Sequence, residues 1–267
     1  MKTNFHRLHA REYIDQLASS GRHHFTSREA RVALGVSADA TKLALNRLAR
    51  KSLIASPARG FYVIVPPDYR SLGCLPADQF IPSLMQRKQL TYYAGLLSAA
   101  QYYGAAHHRP QQFQVLLELN RRPIKCGKVR VMFVARKRIM EVPTRTFNTP
   151  RGEVRVSTPE STAIDLIGYT RRAGGLDNVA TILTELAESM NPALLPEAAA
   201  TAPLRWAQRL GYVLDLVGAS NVVEPLRAYV RDKASEYTLL APGSPSTNSR
   251  RDTDWKIMVN SELEPES

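Results

Sequence analysis

Cysteine is scarce. Cys74 and Cys126 are the only two in 267 residues, far apart and without paired ligand spacing. That excludes a disulfide framework and a cysteine-built zinc site, and both are expected as reduced core thiols. Long apolar runs are also missing, and none approaches the length of about 20 residues that a membrane span needs. No signal-peptide pattern opens the chain, so a cytoplasmic protein without a membrane partner is expected. Nucleophile elbows, Walker loops and His-Glu-x-x-His spacing are lacking, which removes the commonest hydrolase and nucleotide-binding signatures. Acids run short as well: 24 Asp/Glu face 36 Lys/Arg, for a net charge of +12. Such an excess favours an anionic partner, most often nucleic acid.

What is present is the composition of an ordinary globular protein, 44% hydrophobic and 22% charged, long enough for two domains. The charge is unevenly spread. Residues 1–70 hold 12 Lys/Arg against 5 Asp/Glu, and residues 109–155 hold 12 against 3.

The first basic region contains the most informative stretch, Thr26–Val65. Thr26 and Glu29 make a capping box that opens a short helix, and Gly35 stands where a helix end needs positive φ. Ser37 caps a second helix reaching about Lys51. Ala38, Thr41, Leu45, Leu48 and Ser52 recur at helical spacing on one face, and Lys42, Asn46, Arg47 and Arg50 occupy the other. Leu43 points outward with them. A turn, Ser56-Pro57-Ala58-Arg59-Gly60, then joins two short strands ending at Val65. Two helices, a tight turn and a β-hairpin are the outline of a winged helix-turn-helix, with an amphipathic helix over Phe5–Ser19 beneath it. Expected contacts to double-stranded DNA are Arg28, Ser37, Thr41, Lys42, Asn46, Arg47, Arg50 and Arg59.

Prolines from Pro66 to Pro82 mark a linker, with a domain boundary near residue 70. Beyond it, a helix is expected over Met85–Tyr103, then strands at Phe113–Leu119, Val129–Ala135, Thr144–Phe147 and Glu153–Val156. These make a small antiparallel sheet carrying a second basic surface: Arg121, Arg122, Lys125, Lys128, Arg130, Arg136, Lys137 and Arg138. Its expected partner is DNA, RNA or an acidic protein. Thr158-Pro159-Glu160 starts a helical region. Helices are expected at Leu176–Glu188, Leu204–Val217 and Val222–Arg231, and closing strands at Tyr237–Leu240 and Trp255–Val259. The fold class is therefore α+β: a winged helix-turn-helix over 1–70, a mixed domain with a helical bundle over 71–260, and an acidic tail over 261–267.

Candidate chemistry is thin. His6-x-x-His9 has ligand spacing without companion ligands, so no metal site is expected, and no cofactor either. Gly243-Ser244 followed by Asp252-x-Asp254 imitates a nucleotidyltransferase site, but the spacer has no helical pattern and little sheet follows. Asp165 and Asp215 sit on apolar helices and are expected to bond nearby arginines or backbone.

The run from Leu90 to Gly218 resembles the AbiE-type antitoxin family. The matching blocks are TYYAGLLSAAQYYG (Thr91–Gly104), VRVMFVARKR (Val129–Arg138), VSTPESTAIDLIGY (Val156–Tyr169), Gly174-Gly175-Leu176 and RLGYVLDLVG (Arg209–Gly218). The late Trp255-Lys256-Ile257 strand fits too. The resemblance implies an antitoxin of a type IV toxin–antitoxin system that represses its own operon at promoter inverted repeats. It implies a nucleotidyltransferase-like cognate toxin, opposed without a stable complex, and no enzymatic activity in this chain. One departure is Ser52, where winged helices often have Gly. The competing expectation is a winged-helix transcription regulator whose C-terminal domain senses a small ligand.

Overall fold

Local signals at the N-terminal end fold as the sequence dictates. In the computed structural model, which describes residues 8–105, 111–245 and 249–263, helix α1 covers Ala10–Ser19 and strand β1 His24–Thr26. Phe5 and His6 lie outside the described residues. Helix α2 (Ser27–Leu34) opens on the Thr26–Glu29 capping box and closes on Gly35 at φ 61°. Helix α3 (Ala38–Arg50) starts at Ser37, whose side chain accepts the Ala40 N–H at 3.2 Å. Strands β2 (Ile54–Ala58) and β3 (Phe61–Ile64) follow, and β1-β3-β2 form an antiparallel sheet. A bulge between Ala55 and Ala58 accommodates Pro57, which has no N–H to give the ladder.

One core holds this module together. Tyr13, Ile14, Phe25, Ala30, Leu34, Leu45, Leu48, Ile54 and Ile64 form its buried cluster. Phe25 is at the centre, edge-on to Tyr13 at 5.4 Å and stacked on Tyr62 at 5.4 Å. Burying a Phe of this kind contributes about 2–3 kcal/mol.

By its contacts the chain divides into two units, the first made of Met1–Leu90, Arg121–Phe133 and Phe147–Val154, the second of Thr91–Asn120, Val134–Thr146 and Arg155–Ser267. Besides the module, the first unit holds helix α4 (Ile81–Lys88). The expected helix over Met85–Tyr103 is broken. Gln89 turns into the left-handed region at φ 52°, and Leu90 N–H bonds back to the Met85 carbonyl, ending α4. Tyr93–Ala94 then forms strand β4, and α5 covers Leu97–Tyr102. Consecutive Thr91, Tyr92 and Tyr93 suit a pleated strand better than a helix.

The sheet is larger than expected and mixed. Strands β5 (Phe113–Leu117), β6 (Ile124–Cys126), β7 (Val129–Ala135), β8 (Thr144–Thr149) and β9 (Gly152–Ser157) join β4 in the order β6-β7-β5-β4-β9-β8. Pairing of β4 with β9 is parallel, which corrects the all-antiparallel expectation. Near the β6–β7 turn, in the first unit, Gly127 lies so close to the Leu72–Gly73 backbone that an added Cβ would meet Leu72 O at 2.1 Å. Cys74 and Cys126 in this unit are buried and free. The neighbouring Cys126 sulfur and burial together push the Cys74 thiol above its ordinary range.

Helices dominate the second unit: α6 (Pro159–Gly168), α7 (Leu176–Leu186), α8 (Leu195–Ala200), α9 (Leu204–Leu216) and α10 (Ser220–Lys233). Thr158 caps α6 as expected, accepting the Ser161 N–H at 3.3 Å. A small sheet, β10 (Thr238–Leu239), β11 (Arg250–Asp252) and β12 (Ile257–Val259), closes the unit in the order β10-β12-β11. Trp255 lies flat on α9 because Gly211 leaves room for its ring; a Cβ there would come within 2.1 Å.

Candidate nucleic-acid interface

Helix α3 sorts its side chains cleanly. Thr41, Leu45 and Leu48 are buried, while Lys42, Asn46, Arg47 and Arg50 are exposed. Leu43 is 59% exposed among them, so the outward phase expected for it is the one adopted. Ala38 and Ser52 are exposed and do not share the inner face assigned to them. Thr41 requires a further correction: it is 3% exposed and its hydroxyl donates to the Ser37 carbonyl at 2.8 Å. Packing against the core claims it, so it has no donor to offer a base edge.

The remaining expected contacts stay available. Arg28 is exposed on α2 and Arg59 at the β2–β3 turn, where Gly60 takes φ 69°. Ser37 is exposed, with its oxygen engaged as the helix cap. Among the described residues no carboxylate pairs with Lys42, Arg47, Arg50 or Arg59. Unneutralised cations on one helix face repel each other over about a Debye length, near 8 Å, and gain most when an anion arrives. Beyond α3, Ser52 holds φ 54° and its N–H bonds Ala49 O at 2.9 Å. A serine makes the turn in which glycine is usual, at a cost of about 1 kcal/mol.

The second basic stretch does not form one class of side chain. In the first unit Arg121, Arg122, Lys125 and Lys128 are exposed around β6 and the β6–β7 turn. Arg130 is half-buried and its Nη1 donates to Gly127 O at 2.6 Å and Val129 O at 3.0 Å, bracing that turn. In the second unit Lys137 and Arg138 are exposed, and Arg138 pairs with Glu141 and donates to Ala200 O at 2.6 Å.

Arg136 is the clear correction. It is 2% exposed and belongs to the interior of the second unit. Its Nε meets Asp165 Oδ1 at 2.8 Å. Nη1 donates to the carbonyls of Lys137 (2.8 Å) and Thr201 (2.9 Å), Nη2 to Thr201 Oγ1 at 3.0 Å. The Trp206 ring lies 5.3 Å away. Tyr93 completes the arrangement by donating to Asp165 Oδ2 at 2.6 Å. Burial pushes the Asp165 carboxyl up, and Arg136 and the Tyr93 hydroxyl pull against that shift. Burial and the Asp165 charge hold the Tyr93 phenol well above its ordinary range, so it remains a donor. Asp165 thus bonds an arginine as expected, one that the sequence had assigned to a surface.

The other acids flagged as chemistry also have structural partners. Asp215 accepts Arg227 Nη2 at 2.7 Å and Trp255 Nε1 at 2.6 Å. Asp252 accepts the Trp255 N–H at 2.9 Å, and Asp254 lies 3.6 Å from Arg227 Nη1.

Residues 93–216 match the family model of the AbiEi antitoxin C-terminal domain. The chain carries an AbiEi-type antitoxin domain. Tyr93, Arg136, Asp165, Thr201 and Trp206 all lie inside the matched span of this AbiEi-type domain. The crystal structure of the RV2827C protein from Mycobacterium tuberculosis shares the fold, with a TM-score of 0.65 over 93% of this chain and 90% of that one, at 17% identity. That of an antigenic nucleotidyltransferase-like protein from Paracoccidioides brasiliensis aligns to 55% of this chain and 91% of its own, at 10% identity and a TM-score of 0.35. No curated protein matches. Among the described residues no helix is long and apolar enough to cross a membrane.

Proposed function

We propose that this protein is the antitoxin of a type IV toxin–antitoxin system, serving phage defence by abortive infection in the cytoplasm, and that it represses its own operon. An AbiEi antitoxin domain implies a toxin partner. In this reading that partner is nucleotidyltransferase-like and is opposed without a stable complex, and the chain itself is not an enzyme. Residues 1–70 form a winged helix-turn-helix that binds inverted repeats in the promoter, and 71–260 carry the antitoxin function.

The observation that carries the DNA-binding half is the outer face of α3, with Lys42, Asn46, Arg47 and Arg50 exposed and no carboxylate paired with its cations among the described residues. Asn suits adenine and Arg suits guanine in a major groove, while Lys neutralises phosphate. Arg59 at the hairpin turn reaches a minor groove or backbone, and Arg28 and the Ser37 end of α3 meet phosphates. Exposed Leu43 suits a thymine methyl.

A gel shift on the operon promoter tests this reading. Lys42→Ala/Asn46→Ala/Arg50→Ala weakens binding by about a hundredfold or more and lowers the salt slope by about 2, for the two cations removed. Wild-type affinity in that triple variant refutes the assignment.

A further inference from the structure

The first unit contains a cleft of about 530 Å³, its open mouth included, that the DNA-binding reading does not use. Ser20, Arg22, His23 and His24 line it from the α1–β1 turn, Gln79 and Ser83 from the segment entering α4, and Arg151 from the β8–β9 turn. Val63, Leu75 and Phe80 form its floor and are themselves buried. Among the described residues no carboxylate lines it.

The cations there are held in different ways. Arg22 is paired with Glu29, so its charge is largely answered. Arg151 is fixed by neutral groups: its Nε donates to Gln79 Oε1 at 2.9 Å, and its guanidinium is 6.0 Å from the Tyr69 ring centre. Gln79 is itself buried and donates to the Tyr69 hydroxyl at 3.1 Å. This relay orients a guanidinium without neutralising it, and a guanidinium in a fixed pose is the residue of choice for bidentate oxyanion binding. His23 Nδ1 is buried with no hydrogen-bond partner among the described residues.

We propose that this cleft binds the phosphate of a phosphate monoester, held against Arg151 and the His23–His24 pair, with the organic part toward the open mouth. His23 and His24 respond to the same field. Burial lowers the His23 value, with Arg151 and His24 lowering it further. Burial also lowers the His24 value, with Arg22 lowering it and Glu29 opposing. A bound dianion reverses that field and favours the protonated rings, so binding takes up protons and tightens as pH falls below neutral. Because His23 O accepts the Ile64 N–H and His24 pairs with Val63, an occupant sits directly against the β1–β3 ladder of the module.

Titration calorimetry on the full chain, without DNA and at fixed ionic strength, tests the site with phenyl phosphate and inorganic phosphate as probes. Saturable binding of both is expected, tighter at pH 6 than at pH 8. Arg151→Gln weakens it about tenfold or more, and Arg151→Lys retains part of it. His23→Asn flattens the pH dependence, and unliganded melting curves confirm that each variant is folded. A random-sequence DNA duplex that displaces inorganic phosphate from the same site identifies the source as backbone phosphate and overturns the monoester assignment. Absence of saturable binding, or equal binding by wild type and folded Arg151→Gln, overturns the site itself. Failure of these experiments leaves the promoter gel shift unaffected, since neither readout uses the other's residues.

Discussion

Arginine does opposite work in the helix–hairpin module and in the AbiEi-type domain. On α3, Arg47 and Arg50 stand exposed without an acid partner among the described residues. In the AbiEi-type domain Arg136 is enclosed, with a carboxylate, three further acceptors and an indole around it. One set of charges is left uncompensated, so binding an anion is downhill. The other is compensated inside the fold, so removing a partner is costly. Sequence composition counts both sets alike, which is why net charge speaks to partners only after burial is known.

Four experiments press on that contrast. The largest effect belongs to Asp165→Ala, which strands a buried guanidinium and costs about 3–5 kcal/mol, measured by denaturant unfolding. Replacing both partners with apolar residues, Arg136→Met/Asp165→Leu, recovers much of that loss; an unrecovered double variant would break the compensated-charge account. Next comes Arg227→Ala, which removes hydrogen bonds to Asp215 and a contact 4.6 Å from the Trp255 ring centre. Its expected cost is about 1.5–3 kcal/mol by the same measurement, smaller because the side chain is 22% exposed.

Acidification comes third and acts on the module. His23 and His24 have lowered values in the fold. The folded state therefore binds fewer protons than the unfolded chain between those lowered values and the ordinary 6.5. Stability from these groups is present above 6.5 and is lost as pH falls through the folded values. A thermal melt at low phosphate is expected to show the module's midpoint falling below pH 6.5, and a midpoint that rises would reverse the sign argued here. The smallest effect is Arg47→Ala or Arg50→Ala on stability, within about 0.5 kcal/mol of wild type. Either substitution is expected to weaken promoter binding severalfold, so on α3 the effect on DNA binding separates from the effect on stability.

How much of this was legible in the sequence follows from the range of the interactions. The caps at Thr26, Ser37 and Thr158 were readable because cap and capped N–H lie three residues apart. The phase of α3 from Thr41 to Arg50, Leu43 included, was readable because a single helix fixes it, while Ala38 and Ser52 at its two ends were misplaced. Strand β4 was not, since a two-residue strand exists only through partners at Val115 and Val156. Arg136 was misread for the same reason. Its run, Arg136-Lys137-Arg138, looks like surface until Asp165, Thr201 and Trp206 arrive from 29 to 70 residues downstream. At Ser52, left-handed backbone sits on a residue that does not advertise it.

Trp255 lies beyond the span that matches the antitoxin family, which ends at residue 216. Yet its ring fills the space over Gly211 and its Nε1 satisfies Asp215, both inside that span. An excised fragment of residues 93–216 would therefore end with a bare helix face and a carboxylate stripped of both Trp255 and Arg227. The second unit includes β12, and its C-terminal strands are part of what any expression fragment of that unit must keep.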